Sequence, residues 1–190
     1  MKLSSTSYFV DYVIYPAAVT ALAGAALYTT PFDRWGAWAI SVAAGAATWT
    51  FGEYQLHRWV FHHAPYIKDL HLAHHDDQKA LIGTPSYLSL AVIAFGVLLP
   101  AILIAGFAYG AGFTAGVTFG YLVYITVHHA VHHWKIKPGS YMYRLKHRHA
   151  LHHHFDDEGN YGVTTGFWDK VFGTDIVPRR VGEARAAAGH

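Results

Sequence analysis

Residues 147–154 read HRHALHHH and place five histidines within eight residues. Two earlier segments have a similar pattern: residues 71–75 read HLAHH, and residues 128–133 read HHAVHH. Because residues three and four positions apart share one face of an α-helix, each segment would present a group of imidazoles on one side of a helix. Imidazole is a ligand for zinc, copper, iron and nickel. The stretch therefore predicts helices whose histidine faces surround metal ions.

The composition indicates a membrane protein. Of the 190 residues, 53% are hydrophobic and 14% are charged, whereas a typical soluble domain has roughly 25% charged residues. The chain has no cysteine, so any metal must be held by His, Asp or Glu. The formal net charge of +2 is too small to indicate a nucleic-acid partner.

Long stretches almost free of charge predict four transmembrane helices. Residues 80–134 contain no Asp, Glu, Lys or Arg, which is enough chain for two spans. We expect the hairpin between them at Tyr109–Gly112, because two glycines lie there. The predicted spans are about residues 8–30, 35–52, 87–107 and 113–127. The glycines and threonines between Gly112 and Gly120 in the fourth span suit close helix packing. Beyond the spans, Pro138-Gly139 marks a turn, and we expect a helix from about Tyr141 to His154 after it.

Four spans would place both chain ends and every histidine-rich segment on one side of the membrane. Thirteen of the fourteen Lys and Arg residues then lie on that side, with Arg34 as the exception, and the positive-inside rule makes it the cytoplasm. We therefore expect an all-α, multi-pass membrane protein whose cytosolic helical cap holds a histidine-rich dimetal site. The cap would comprise residues 53–80 and 128–176, followed by a tail at residues 177–190.

Helical spacing selects the candidate metal ligands. Residues 71–75 and 149–153 repeat an i, i+3, i+4 pattern of histidines. His57 and His62 are five positions apart, so they must act from a distorted helix end or reach different metals. The resulting ten nitrogens are too many for one ion and suit two. The candidates are His57, His62, His71, His74, His75, His128, His132, His149, His152 and His153.

These motifs resemble the histidine boxes of the fatty acid hydroxylase/sterol desaturase superfamily, which are integral membrane di-iron oxygenases. Residues 161–174, YGVTTGFWDKVFGT, resemble the segment that closes the fatty acid 2-hydroxylase branch. The connector between the first two boxes is short for the family. The boxes His-x4-His, His-x-x-His-His, His-x3-His and His-x-x-His-His begin at His57, His71, His128 and His149.

The resemblance implies an oxidoreductase with two iron ions and O2 as cosubstrate. The closing segment makes hydroxylation of a fatty acyl chain, at the carbon next to the carbonyl, the expected reaction. Zinc binds such sites more tightly than Fe(II), so zinc can replace iron in purified samples. We expect a lipid substrate from the bilayer and electrons from a separate cytochrome b5- or ferredoxin-like protein.

Outer carboxylates are needed to orient the imidazoles of such a site. Tyr161, Phe167 and Trp168 either line the substrate entrance or pack the cap, and packing is the simpler interpretation. No catalytic residue is predicted beyond the metal ligands. The candidate carboxylates are Glu53, Asp76, Asp77, Asp156, Asp157 and Asp169, and the remaining histidines of the cluster region, His63, His129, His133, His147 and His154, are second-layer or spare.

Three other functions fit part of the same sequence. Sterol or carotenoid hydroxylation or desaturation fits the same boxes, although the His-Asp-Gly type of third box typical of the carotenoid branch is absent. A membrane metal-binding or transport protein would need a polar pathway, and residues 87–127 carry no charge. A haem-binding electron carrier would use only two of the imidazoles.

Overall fold

The computed structural model describes residues 3–176, and the regular secondary structure in that part of the chain is entirely helical. The all-α expectation is therefore confirmed for these residues, whereas the predicted tail at residues 177–190 lies outside them. The chain divides into two compact units between residues 126 and 127, and each is described by itself. The helices are α1 (Ser5–Phe9), α2 (Asp11–Thr29), α3 (Trp35–Gln55), α4 (Ile67–Asp76), α5 (Ser86–Ala91), α6 (Leu99–His133), α7 (Tyr141–His154) and α8 (Phe167–Phe172), with a 3-10 turn at Phe32–Arg34 and π-helical segments at Leu56–Phe61 and Val92–Leu98.

Two helical stretches of the described chain are long and apolar enough to cross a membrane. They are Ser5–Thr29, with 25 residues, and Ser86–His133, with 48 residues. Helix α3, which coincides with the predicted second span, has 21 residues but is not among those that meet the criterion of length and hydropathy. About 20 apolar residues cross the hydrocarbon core of a bilayer, so the 48-residue stretch contains enough chain for two passages.

The 48-residue stretch is broken at Gly106, and the predicted position of the hairpin is therefore wrong. Residues 109–112 are helical, whereas Gly106 has φ 75° and ψ 170°, a conformation open essentially to glycine alone. The chain folds back at Gly106. This is seen from Gly110, where a Cβ would lie 2.6 Å from the carbonyl carbon of Ala101, nine residues earlier. The two helical arms are residues 86–105 and 107–133.

Glycines after this break bring α6 into backbone contact with α3. A Cβ on Gly116 would overlap the carbonyl oxygen of Val42 and lie 2.9 Å from its carbonyl carbon. A Cβ on Gly120 would lie 2.6 Å from Trp49. The prediction that small residues of the fourth span allow close helix packing is confirmed.

The second unit begins within α6 and continues through α7 to the closing segment. Helix α7 has the bounds predicted from the sequence, Tyr141–His154. Its N-terminus is fixed by Ser140, whose Oγ accepts the N–H of Tyr143 at 3.1 Å, the usual arrangement of an N-cap. Tyr141 Oη donates to the carbonyl of Thr164 at 2.8 Å, so the closing segment is tied back to the start of α7.

Candidate metal centre

The first unit presents His57 from a π-helical segment and His62 from the residue that follows this segment. In a π-helix each N–H bonds to the carbonyl five residues earlier, so residues five apart come to lie on one face. The segment Leu56–Phe61 has this geometry, and the rings of His57 and His62 are stacked at 5.4 Å with 27° between their planes. Of the two arrangements left open by the sequence, the distorted helix is the one observed.

Four histidines of the first unit converge on one point. His71 Nε2 lies 3.1 Å from the Nε2 atoms of both His57 and His62. It also lies 3.0 Å from His75 Nε2. A neutral imidazole nitrogen holds either one proton or one lone pair, so three such contacts to a single nitrogen cannot all be hydrogen bonds. We call these four residues the first histidine set; their ligand nitrogens lie within 4.8 Å of one another.

Four histidines of the second unit form a similar group, the second histidine set. The last turns of α6 supply His128 and His132, and α7 supplies His149 and His153. His149 Nε2 lies 2.8 Å from His132 Nε2 and 3.0 Å from His153 Nε2. The ring of His128 is centred 4.9 Å from the ring of His149. The ligand nitrogens of this set also lie within 4.8 Å of one another.

The spacing within both sets fits a bound metal ion. Two nitrogens that are each about 2.1 Å from one ion are about 3.0 Å apart at a right angle and about 3.4 Å apart in a tetrahedron. The observed separations run from 2.8 Å to 3.1 Å, which matches right angles. Each set would therefore hold one metal ion among its imidazole nitrogens, all of which lie within 4.8 Å of one another.

The other two predicted ligands, His74 and His152, are buried in their own units. His74, on α4, is 5% exposed, and its ring is centred 6.3 Å from that of His71. His152 is fully buried, with its ring centred 5.6 Å from that of His153. Its Nδ1 lies 2.7 Å from the carbonyl oxygen of Gly159. A carbonyl only accepts, so Nδ1 carries the proton and Nε2 keeps the lone pair that a metal requires.

The environment of His149 favours the neutral ring. Burial, followed by the neighbouring imidazoles of His128 and His153, holds the pKa of His149 well below its ordinary value. Because a histidine must be deprotonated to bind a metal, this shift leaves the ring in the binding form at neutral pH.

The remaining histidines lie outside the two sets. His129 and His133 stack on each other with ring centres 4.3 Å apart and 19° between their planes. His147 and His154 are exposed on α7. The interpretation of these residues as second-layer or spare stays a prediction.

Among the predicted outer carboxylates, Glu53 and Asp169 are buried. Glu53 is 2% exposed and precedes His57 by one helical turn. Asp169 is fully buried and accepts backbone N–H groups of the closing segment. The other four are half-buried or fully exposed: Asp76, Asp77, Asp156 and Asp157.

The aromatic side chains of the closing segment divide between packing and surface. Tyr161 is 6% exposed and its ring is centred 5.7 Å from that of His152, as the packing interpretation predicts. Phe167 is exposed. Sequence reasoning missed Asn160, which is fully buried and has a positive φ of 54°. The Gly159-Asn160 dipeptide, which favours such a turn, was the available signal.

Several known proteins are similar to this chain. A ceramide very long chain fatty acid hydroxylase from Saccharomyces cerevisiae is 36% identical over 147 residues, which cover 70% of this chain and 37% of the relative. A fatty acid 2-hydroxylase from Mus musculus is 33% identical over 147 residues, covering 70% of this chain and 38% of the relative. A dihydroceramide fatty acyl 2-hydroxylase from Arabidopsis thaliana is 35% identical over 145 residues, covering 70% and 59% respectively. The chain thus spans less than two thirds of the length of each of these relatives.

A solved structure shows the same fold. It is described as full-length scs7p with only the hydroxylase domain visible; it has a TM-score of 0.78 and 27% identity, and the match covers 90% of this chain and 67% of that chain. The sequence model of the fatty acid hydroxylase family matches residues 42–174, a range that contains both histidine sets and the closing segment. This chain belongs to the fatty acid hydroxylase family.

Proposed function

We propose that this chain is the hydroxylase domain of an O2-dependent enzyme that hydroxylates a fatty acyl chain at the carbon next to the carbonyl. The observation that carries the proposal is the convergence of Nε2 atoms at about 3.0 Å spacing, the separation expected around one ion, in a chain of the fatty acid hydroxylase family. The reaction and its position follow the names of the relatives, which are fatty acid 2-hydroxylases and ceramide fatty acid hydroxylases.

The ten predicted histidines would hold two metal ions, with iron in the working enzyme. All of them are imidazoles, which suit zinc, copper, iron and nickel, and eight lie in the two histidine sets. Such a reaction needs a redox-active metal because converting a C–H bond into C–OH is a two-electron oxidation, which amino-acid side chains do not carry out by themselves. When bound, the irons would supply the oxidation of that bond by O2. Zinc, which stands higher in the affinity order, would replace iron in purified protein.

The protein's own contribution is to hold neutral imidazoles in place and to keep water away from them. His57, His149 and His152 are at most 2% exposed, so bulk water has little access to their rings. The carbonyl of Gly159 orients His152, and burial keeps the pKa of His149 low. These features prepare a binding site before any metal arrives, which reduces the reorganisation required on binding.

The substrate would be a lipid drawn from the bilayer. We propose four transmembrane helices, formed by α2, α3 and the two arms on either side of Gly106, with the histidines on the cytoplasmic side. The break at Gly106 supports two passages in the 48-residue stretch, and 13 of the 14 Lys and Arg residues would then be cytoplasmic. An electron-donor protein of the cytochrome b5 or ferredoxin type would complete the system.

Lipid analysis with heavy-isotope O2 tests this function. Membranes containing the chain are supplied with iron, an acyl lipid and a reduced donor protein, and matched membranes contain the His71→Ala variant. We expect 2-hydroxy acyl chains that carry oxygen from O2 in the first sample only. Absence of labelled 2-hydroxy chains, or a label found instead on sterols or carotenoids, would contradict the proposal.

A further inference from the structure

The closing segment is folded around one buried carboxylate. Asp169 is fully buried; its Oδ1 accepts the N–H of Tyr161 at 2.8 Å and the hydroxyl of Thr174 at 2.9 Å. Its Oδ2 accepts the N–H of Gly162 at 2.9 Å and a guanidinium N–H of Arg148 at 3.1 Å. Four donors therefore use both oxygens of an ionised carboxylate, which is an acceptor only. This pattern fixes the backbone of residues 161–162 against the start of α8.

Asn160 holds the same turn from its other side. Its backbone N–H donates to the carbonyl of Thr174 at 2.9 Å. Its Nδ2 donates to the carbonyl of Arg148 at 3.1 Å, and its Oδ1 accepts the N–H of Ile176 at 3.0 Å. The turn at residues 159–162 is thus bound both to α7 and to residues 174 and 176, and these bonds fix its backbone position.

The carbonyl at the start of this turn contacts a predicted metal ligand. Gly159 O lies 2.7 Å from His152 Nδ1, and His152 is fully buried. The hydrogen bond made by one ring nitrogen decides which nitrogen of a neutral histidine carries the proton. The ring of Tyr161, two residues further on, lies against the same imidazole, with ring centres 5.7 Å apart.

We propose that Asp169 is a positioning residue that orients His152 through the peptide backbone. It holds the turn so that the Gly159 carbonyl accepts the Nδ1 proton, and Nε2 is left with the lone pair for metal. This inference rests on the proposed function, in which His152 is a metal ligand. For His152, the group in contact with the ring is therefore the Gly159 carbonyl and not a carboxylate. The Asp169 carboxylate acts on the ring only through the turn that carries this carbonyl.

Asp169→Asn tests the proposal, with Asp175→Asn as the matched control. An amide offers one acceptor oxygen and places an NH2 group against N–H donors, so the turn loses part of its support. Asp175 pairs with the same Arg148 guanidinium, so its variant removes an equal charge without touching the N–H groups of residues 161 and 162. Both variants are made in the full chain, purified in detergent and checked for helical content.

The first readout is the protonation pattern of the His152 ring, measured by NMR of the histidine nitrogens in metal-free protein and assigned with a His152→Asn variant. We expect the proton on Nδ1 in the wild type and in Asp175→Asn. In Asp169→Asn we expect a mixture with the form protonated on Nε2. The second readout is zinc affinity by competition with a chelator, which should fall about 10- to 100-fold in Asp169→Asn and stay unchanged in Asp175→Asn.

A folded Asp169→Asn protein with the wild-type His152 signal and wild-type zinc affinity would overturn the inference. If that variant does not fold, Thr174→Val removes one of the four donors, and we expect a smaller change in the same direction; an unchanged His152 signal would again count against Asp169. The ring signal does not depend on hydroxylation. An inactive wild-type chain with the expected ring signals would therefore refute the proposed function alone, and an active one with unaffected signals would refute this inference alone.

Discussion

The contact between α3 and α6 gives a sharp prediction for Gly116→Ala. The new Cβ would overlap the carbonyl oxygen of Val42 and lie 2.9 Å from its carbonyl carbon. Carbon atoms in contact are usually about 3.5 Å apart or more, so the two backbones must separate by at least ~0.6 Å. Both obstacles are backbone atoms and cannot rotate away. Such overpacking costs about 1–3 kcal/mol.

Gly24→Ala is the matched control, because a Cβ at Gly24 has no neighbour within 4 Å and the residue also lies in a long helix, α2. Alanine is favoured over glycine inside a helix by about 0.5–1 kcal/mol, so this variant should be as stable as the wild type or slightly more so. For a chain of this size 1 kcal/mol corresponds to about 2–4 °C in Tm. Because both variants share this gain in helix propensity, we expect Gly116→Ala to unfold about 2–12 °C below Gly24→Ala.

Thermal unfolding in detergent, followed by circular dichroism, measures both variants. Gly45→Ala serves as a second test, because its Cβ would overlap the Phe113 carbonyl oxygen from the α3 side, and the Gly45→Ala/Gly116→Ala double variant should lose less than the sum of the two. If Gly116→Ala has the same Tm as Gly24→Ala, helices α3 and α6 do not approach as closely as described.

Three further predictions follow from single residues. His71→Ala removes the nitrogen shared by three contacts of the first histidine set. Elemental analysis should therefore find one zinc ion per chain in this variant and two in the control, His63→Ala. Equal zinc contents in the two variants would contradict this assignment. Gly106→Ala places a side chain at φ 75°, which costs about 1–3 kcal/mol, and its Tm should fall accordingly; an unchanged Tm would show that the break does not need glycine. Ser140→Ala removes the N-cap of α7 and should lower stability by about 1 kcal/mol, whereas Ser140→Asp should retain most of it in the same chemical denaturation assay.

Local signals explain where the sequence prediction was accurate. Helix α7 was predicted to its observed ends, Tyr141 and His154, because a Pro-Gly turn precedes it and acts within a few residues. The helical nature of the described chain and the close packing of the fourth span were also predicted. Four transmembrane helices, a cytosolic cap and metal binding by the ten histidines stay predictions.

The hairpin was misplaced because glycine has two uses. Gly106 adopts a backbone conformation that needs glycine, whereas Gly110 and Gly112 lie in helical backbone and allow close approach of other segments, Ala101 and Ser41 respectively. A glycine required for backbone conformation and a glycine required for close packing look the same in the sequence. The pair Gly110 and Gly112 was therefore a stronger turn signal than the single Gly106, although the turn lies at Gly106. The distinction depends on what lies opposite each residue in the folded chain.

The residue pattern alone indicates the kind of chemistry: ten imidazoles, eight of them at helical spacing, in an apolar chain, since ligand type and periodicity are properties of neighbouring residues. How these imidazoles meet depends on the folded chain. The π-helical segment at Leu56–Phe61 turned a spacing of five into a shared face. His57 contacts His71, which is 14 residues further along the chain, and His132 contacts His149, which is 17 residues further along. The partner of His152 is a backbone carbonyl, which every residue possesses, so no sequence pattern could have identified it before the chain was folded.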